Sequence, residues 1–345
     1  MSTPTRYTHL SEPDPAWLAV AEAHAPLDAL AAKMYSLPIS EFRKVPYKPG
    51  PLPDNVPKPG IDITIRTDKV LVRDGTSIGV RIYEPLQRHD GQTLFFNVHG
   101  GGWTVGTPET EEAQNRMVAA GTDCVVVSVD YRLAPEFPFP YAVHDSMDAL
   151  LWCIDQAVDL GIDPHKIVLG GGSAGANICA ALSLICRDTG IQGTIIGQVL
   201  NIPVTCHPAH FPADQYEYRS YEQNKEVPLV DAARMHLYWY FYVPNPEIDG
   251  SNPLVSPLLA ESLANLPPAL VQVAGMDPLR DEGLAFAQAL EKSGVNTTVK
   301  IYPGMPHAFY VYPNLTPSAD YFETTVQWIR DVLQGDKETK NKETN

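Results

Sequence analysis

Two alternating rhythms of apolar residues run along most of the chain. Short β-type runs lie at Ile61–Arg66, Val70–Arg73 and Ile78–Tyr83, with the turn residues Asp74-Gly75 between the last two. Thr93–Val98 stops at His99-Gly100-Gly101-Gly102-Trp103, and Cys124–Val129 is strongly β-branched. Lys166–Leu169, Thr194–Asn201, Ala269–Val273 and Thr297–Tyr302 complete the series. Helical spacing predicts helices at Glu111–Ala120, Tyr141–Leu160, Ala174–Arg187, Leu279–Ser293 and Pro317–Leu333. Strands that alternate with helices in this way predict βαβ units, hence an α/β fold around a mostly parallel sheet.

Two regions depart from that rhythm. In residues 1–60, Pro15–Met34 reads as a helix, and Glu41–Gly60 carries six prolines without periodicity and reads as an extended connector. Residues 204–259 show no strand–helix alternation but are rich in aromatic side chains, among them Tyr216, Tyr218, Tyr221, Tyr238, Trp239, Tyr240, Phe241 and Tyr242. They read as an insertion of helices and loops above the sheet. The core is then 61–203 together with 260–335, and the polar tail 336–345 is expected to be disordered.

Composition narrows the classes. A chain of 345 residues with 44% hydrophobic content has ample core material, and a formal charge of −16 argues against nucleic acid and anionic membrane surfaces. No stretch approaches the ~20 apolar residues that span a bilayer, and the first ten residues hold no apolar signal core. Five cysteines in mostly apolar surroundings suggest reduced, buried thiols and a cytoplasmic location. The sequons at Asn296 and Asn314 are then expected to stay unmodified.

Candidate chemistry begins at Lys166–Asn177, where an apolar strand meets glycines, a lone serine and a small-residue helix. Gly171-x-Ser173-x-Gly175 matches a turn that lifts a nucleophilic serine above a sheet edge. The same glycines fit a dinucleotide fingerprint, Gly170-x-Gly172-x-x-Gly175, which requires an acidic residue about 20 positions on. The region Gly190–Gly197 supplies none. A nucleophilic serine instead needs a carboxylate and a histidine after later strands, in that order. Asp277 follows Ala269–Ala274, and His307 follows Val299–Tyr302. Asp281 and Glu282 are poorer choices because both should lie on the following helix. The backbone N–H groups of Gly101, Gly102 and Ala174 are candidates for an oxyanion hole, with His99 bracing the loop. A zinc site at Cys206-x-x-x-His210 lacks two further ligands.

With these motifs assembled, the chain resembles the hormone-sensitive-lipase-type branch of the α/β-hydrolase esterases (α/β-hydrolase fold-3). The resemblance rests on His99-Gly-Gly-Gly-Trp103, Asp130-Tyr-Arg-Leu-Ala-Pro-Glu136, Gly171-Gly-Ser-Ala-Gly175, Asp277-Pro-Leu-Arg-Asp-Glu-Gly283 and His307, spread over about 60–335. It implies an eight-stranded sheet flanked by helices and a helical cap built from residues 1–60 and the insertion after the sixth strand. It also implies a Ser173–Asp277–His307 triad, an oxyanion hole at Gly101, Gly102 and Ala174, and neither cofactor nor metal. The expected partner is a small-molecule ester with a short- to medium-chain acyl group or a small aromatic or natural-product moiety; a homodimer is compatible with the sequence. The alternative is a biosynthetic lyase or dehydratase, or a non-catalytic small-molecule receptor, on the same scaffold, since plant relatives of the family include a dehydratase and a hormone receptor. Receptor relatives typically lose part of the triad, whereas all three members are present here. One departure stands out: many members carry Asp where this chain has Gly172, which leaves local hydrogen bonding at the turn open. The segment Asp130–Glu136 reads as structural, with Arg132 buried and paired.

Overall fold

The computed structural model describes residues 6–45, 52–191 and 194–343. Residues 46–51 of the proline-rich connector therefore lie outside the described residues, as do the last two of the tail. Eight strands form one sheet: β1 (Ile63–Leu71), β2 (Ser77–Pro85), β3 (Gln92–Val98), β4 (Cys124–Asp130), β5 (Ile162–Gly172), β6 (Ile195–Asn201), β7 (Ala269–Met276) and β8 (Thr297–Pro306). Their spatial order is β1-β2-β4-β3-β5-β6-β7-β8. The pairs β1–β2 and β2–β4 are antiparallel, and every pair from β4 across to β8 is parallel. The sheet is thus eight-stranded and mostly parallel, as the resemblance implies.

The runs Ile61–Arg66 and Val70–Arg73, read separately from the sequence, are one strand. Their polar bridge Thr67-Asp68-Lys69 pairs in continuous register from Ile63↔Pro85 to Leu71↔Ser77. β1 is an edge strand whose middle faces water, so polar residues do not interrupt it.

Eleven α-helices accompany the strands among the described residues. They are α1 (Pro15–Tyr35), α2 (Ile39–Phe42), α3 (Glu112–Gly121), α4 (Tyr141–Asp155), α5 (Ala157–Leu160), α6 (Ala174–Asp188), α7 (Ser220–Gln223), α8 (Ala232–Tyr242), α9 (Pro246–Asp249), α10 (Arg280–Lys292) and α11 (Thr316–Glu343). The single helix expected over Tyr141–Leu160 is divided at Gln156, whose backbone leaves the helical region. α11 runs past Leu333 to Glu343, so residues 336–343 are helical instead of the disordered tail expected. Lys and Glu are good helix formers, and the Asp336–Glu343 stretch holds no proline to stop the helix.

Period-2 alternation sorts the central strands onto two faces. Leu94, Phe96, Val125, Val127, Ile167, Leu169 and Val271 pack in one layer with residues of α4, α6 and α10. Phe95, Val126, Val168, Val199 and Leu270 point the other way, toward Val118 of α3 and Ile329 of α11. Burial on both faces explains why β3 and β7 are buried along their whole length and read as continuous apolar runs. Loops that leave the C-terminal ends of the parallel strands therefore meet along one edge, where ligands bind in open α/β sheets.

Candidate active site

Ser173 sits between β5 and α6 with φ 54° and ψ −117°, a conformation a non-glycine residue rarely adopts. The turn is held from both sides. The Ser173 amide donates to the Asn201 carbonyl at 2.8 Å, and the Ser173 carbonyl accepts from Asn177 at 3.1 Å. Gly175 lies so close to β3 that a Cβ there would overlap the Val98 carbonyl. Backbone strain at a buried serine persists only where its surroundings over-determine it, a pattern typical of functional turns.

Asp277 begins the loop after β7, and His307 follows β8. One carboxylate oxygen of Asp277, Oδ2, meets His307 Nδ1 at 2.7 Å, while Oδ1 accepts from the Leu279 amide at 2.8 Å. Both residues are nearly inaccessible, at 1% and 3% exposure, so water competes little for this bond. Asp277 therefore closes the turn ahead of α10 with one oxygen and orients the histidine with the other. Asp281 and Glu282 lie on α10, as expected, and serve other groups. Asp281 accepts from the amides of Arg219 and Ser220 at 2.6 and 2.8 Å, and Glu282 accepts from the Thr205 amide at 2.8 Å. Burial, with no cation to offset it, pushes the Glu282 carboxyl well above the usual range.

The oxyanion-loop candidates leave β3 beside the elbow, since Val98 pairs with Gly171. Gly101 and Gly102 both take positive φ, 117° and 57°. The Gly101 carbonyl accepts from Thr104 and Val105, which closes a tight turn. A Cβ on Gly102 would fall on the Tyr238 ring of α8. Trp103 stacks on Tyr242 at 4.2 Å and leans on Trp239 at 4.7 Å, so α8 packs directly on this loop. His99 is fully buried, stacks on Tyr131 at 4.3 Å, and bonds the Gly100 carbonyl through Nδ1 at 2.7 Å. Burial pushes its pKa down to about 4, so the ring is neutral and Nδ1–H is the donor. Ala174 opens α6, where amides point out of the helix N-terminus.

The structure thus brings Asp277 and His307 into contact and sets Ser173, Gly101, Gly102 and Ala174 at the same sheet edge. The glycines of the dinucleotide fingerprint face protein: Gly170 abuts the Phe95 ring and Gly175 the β3 backbone, which leaves no cradle for a pyrophosphate. His210 Nε2 is engaged by the Pro246 carbonyl at 2.8 Å. No group of three or more His, Cys, Asp or Glu able to hold a metal occurs among the described residues. Arg132 is paired with Asp145 and Asp74, at 2.7 and 2.6 Å. Sequence reasoning missed Glu111 and Tyr310, both at the elbow. An acidic residue at a helix start and a tyrosine after a histidine loop are too ordinary to stand out in one sequence.

A strained serine, a carboxylate-bound histidine and a glycine turn with adjacent amides can together support nucleophilic acyl chemistry. Comparisons with known proteins agree with that reading. A family model described as alpha/beta hydrolase fold matches residues 95–311. An arylesterase of Saccharolobus solfataricus is 41% identical over 260 residues, covering 75% of this chain and 80% of its own. A thermophilic carboxylesterase cloned from a metagenomic library superposes with a TM-score of 0.74 at 36% identity, over 81% of this chain and 91% of its own. Vibralactone cyclase superposes with a TM-score of 0.79 at 28% identity, over 95% and 96%. Fold, motifs and kinship coincide over most of the sequence, and the chain belongs to the α/β-hydrolase family, in its hormone-sensitive-lipase-type branch.

Proposed function

We propose that this chain is a serine carboxylesterase in which Ser173 is the nucleophile, His307 the base and Asp277 the group that orients the base. The chain is an ester-hydrolysing enzyme by kinship with carboxylesterases and arylesterases. In the proposed reaction Ser173 Oγ attacks the ester carbonyl while its proton passes to His307 Nε2. Asp277, bonded to Nδ1, holds the ring in the tautomer that leaves Nε2 free to accept. The N–H groups of Gly101, Gly102 and Ala174 receive the developing oxyanion. The C–O bond then breaks, the alcohol leaves with the proton from His307, and water enters to release the acid. The observation that carries this reading is the 2.7 Å bond between His307 and Asp277 at the edge where Ser173 is held strained.

Residues 1–60 and 204–259 are proposed as the cap over this edge. In support, α2 and α8 enclose a cavity of about 270 Å³ lined by Leu37, Pro38, Phe42, Val105, Leu237 and Tyr238. Its lining is mostly apolar, with Ser36 and Arg234 as polar members, and it reaches the Gly101–Gly102 turn through Tyr238, which suits a short- to medium-chain acyl or small aromatic group. A larger groove of about 810 Å³ runs along α3 and α11 with no residue of α2, α8 or the loop after β3 in its lining, so we assign it no part in the reaction. No helix among the described residues is long and apolar enough to cross a membrane. Five buried, unbridged cysteines favour a reducing compartment, and the cytoplasm is proposed on that basis.

Ser173→Ala tests the reading. Hydrolysis of p-nitrophenyl acetate by the purified variant should fall at least about 10⁴-fold, with the melting temperature held. Undiminished turnover would rule the mechanism out. One observation favours a second reading: the likeness to vibralactone cyclase allows the acyl group to go to a nucleophile within the substrate instead of water. Product analysis separates the two, since only hydrolysis releases a free acid.

A further inference from the structure

Glu111 has no part in the reaction as described above, yet it lies where three segments of the site converge. Its Oε1 accepts from the Gly100 amide at 2.9 Å, at the base of the oxyanion turn. A Cβ placed on Gly172, the residue before the nucleophile, would sit 3.2 Å from the same Oε1 and 3.2 Å from the Tyr310 hydroxyl. A Cβ on Gly100 would meet the Gly172 carbonyl at 2.9 Å and Glu111 Oε1 at 3.3 Å. The carboxyl therefore fills the space that a side chain at 172 would occupy, wedged between the oxyanion turn, the elbow and the loop that follows His307. Glu111 is 4% exposed, and its Oε2 is buried without a hydrogen-bond partner among the described residues.

We infer that Glu111 is a positioning residue that holds the oxyanion turn against the nucleophile elbow, and that it does so only as the neutral carboxylic acid. The inference rests on the serine-esterase reading above. Protonated, Glu111 still presents Oε1 to the Gly100 amide and places no charge behind the turn that is to receive an oxyanion. Ionised, it would put a buried negative charge beside the developing one, in a low-dielectric setting where like charges interact strongly. Its surroundings favour the acid. Asn97 on β3, His99 and Gly100 on the loop, Tyr131 after β4, Cys179 on α6, and Tyr310 and Tyr321 from the last segment are the groups around it. None of them is a cation: burial keeps His99 neutral and keeps Tyr131, Tyr321 and Cys179 protonated. Burial pushes the Glu111 carboxyl up to about 8, with the bond from the Gly100 amide opposing it. The sign follows: the acid form is kept below that pH and lost above it.

The test measures kcat and KM for p-nitrophenyl acetate, corrected for spontaneous hydrolysis, from pH 6 to 9.5 in wild type, Glu111→Gln, Glu111→Ala and Ser173→Ala. Wild-type kcat should decline on the alkaline side with an apparent ionisation near 8. Glu111→Gln, which keeps the acceptor oxygen and cannot ionise, should lose that decline. Glu111→Ala should lower kcat about 100-fold at pH 7 with KM changed less than about threefold, and Glu111→Gln should recover most of that loss. If Glu111→Ala does not fold, the Glu111→Gln profile alone decides. An alkaline decline that persists unchanged in Glu111→Gln overturns the inference, as does full kcat in folded Glu111→Ala. If either occurs while Ser173→Ala is inactive, the serine mechanism stands and only the role of Glu111 falls; an active Ser173→Ala would sink both.

Discussion

Asp277 performs two tasks with its two oxygens, and they differ in how well a substitute can manage them. Oδ1 closes the turn ahead of α10 through the Leu279 amide, a contact an asparagine carbonyl can keep. Oδ2 faces His307 Nδ1, where an amide NH₂ would enforce the wrong tautomer. Asp277→Asn should therefore leave the denaturation midpoint within about 1 kcal/mol of wild type while kcat falls roughly 10³- to 10⁴-fold. Parallel loss of stability and rate would mean that the residue mainly holds the turn. At this scale the sequence was legible where chemistry demands residue types in a fixed order: Ser173, Asp277 and His307 each follow a recognisable strand. It was silent at Glu111, because what sets that residue apart is the absence of a side chain at Gly172, a relation between positions about sixty residues apart.

Among the elements, α8 shows how an irregular region can govern a regular one. Its Tyr242 is fully buried and stacks nearly parallel on Trp103, which itself holds a positive φ of 57° next to Gly102. Tyr242→Ala would leave a cavity under the Trp103 ring and should destabilise the fold by about 3 kcal/mol, measured by denaturant unfolding. It should also reduce kcat, since the proposed oxyanion turn loses its backing. Tyr240 on the same helix is 72% exposed, and its substitution by alanine should change neither quantity. Equal effects at the two positions would show that α8 does not support the loop. The strands were legible because both faces of the central sheet are covered and their runs are uninterrupted. α8 was not legible as a helix: Leu237 to Phe241 is apolar or aromatic at every position, so helical and extended periodicities cannot be separated. The length of β1 was misread for the opposite reason, since an exposed edge strand tolerates polar residues.

Across the whole molecule, the site draws on strand ends far apart in sequence. β3 leads into the proposed oxyanion turn, β5 into Ser173, β7 into Asp277 and β8 into His307, and the parallel arrangement brings all four to one edge. No single segment holds the proposed site, which is why the glycine-rich stretch at 170–175 could be read in two ways until the later strands were included. The N-terminal segment is tied in as well: the Arg280 guanidinium, fully buried, donates to Ser11 at 2.6 Å and to Gln223 at 2.7 Å. The central claim is that Ser173 becomes acylated during turnover, and direct detection of the acyl group tests it best. Wild-type enzyme mixed with excess p-nitrophenyl acetate and quenched in acid within the first turnovers should yield, by peptide mass spectrometry, an acetyl group on Ser173 and an unmodified Ser183. Acetylation that is absent, or that is found elsewhere while hydrolysis proceeds, would contradict the account.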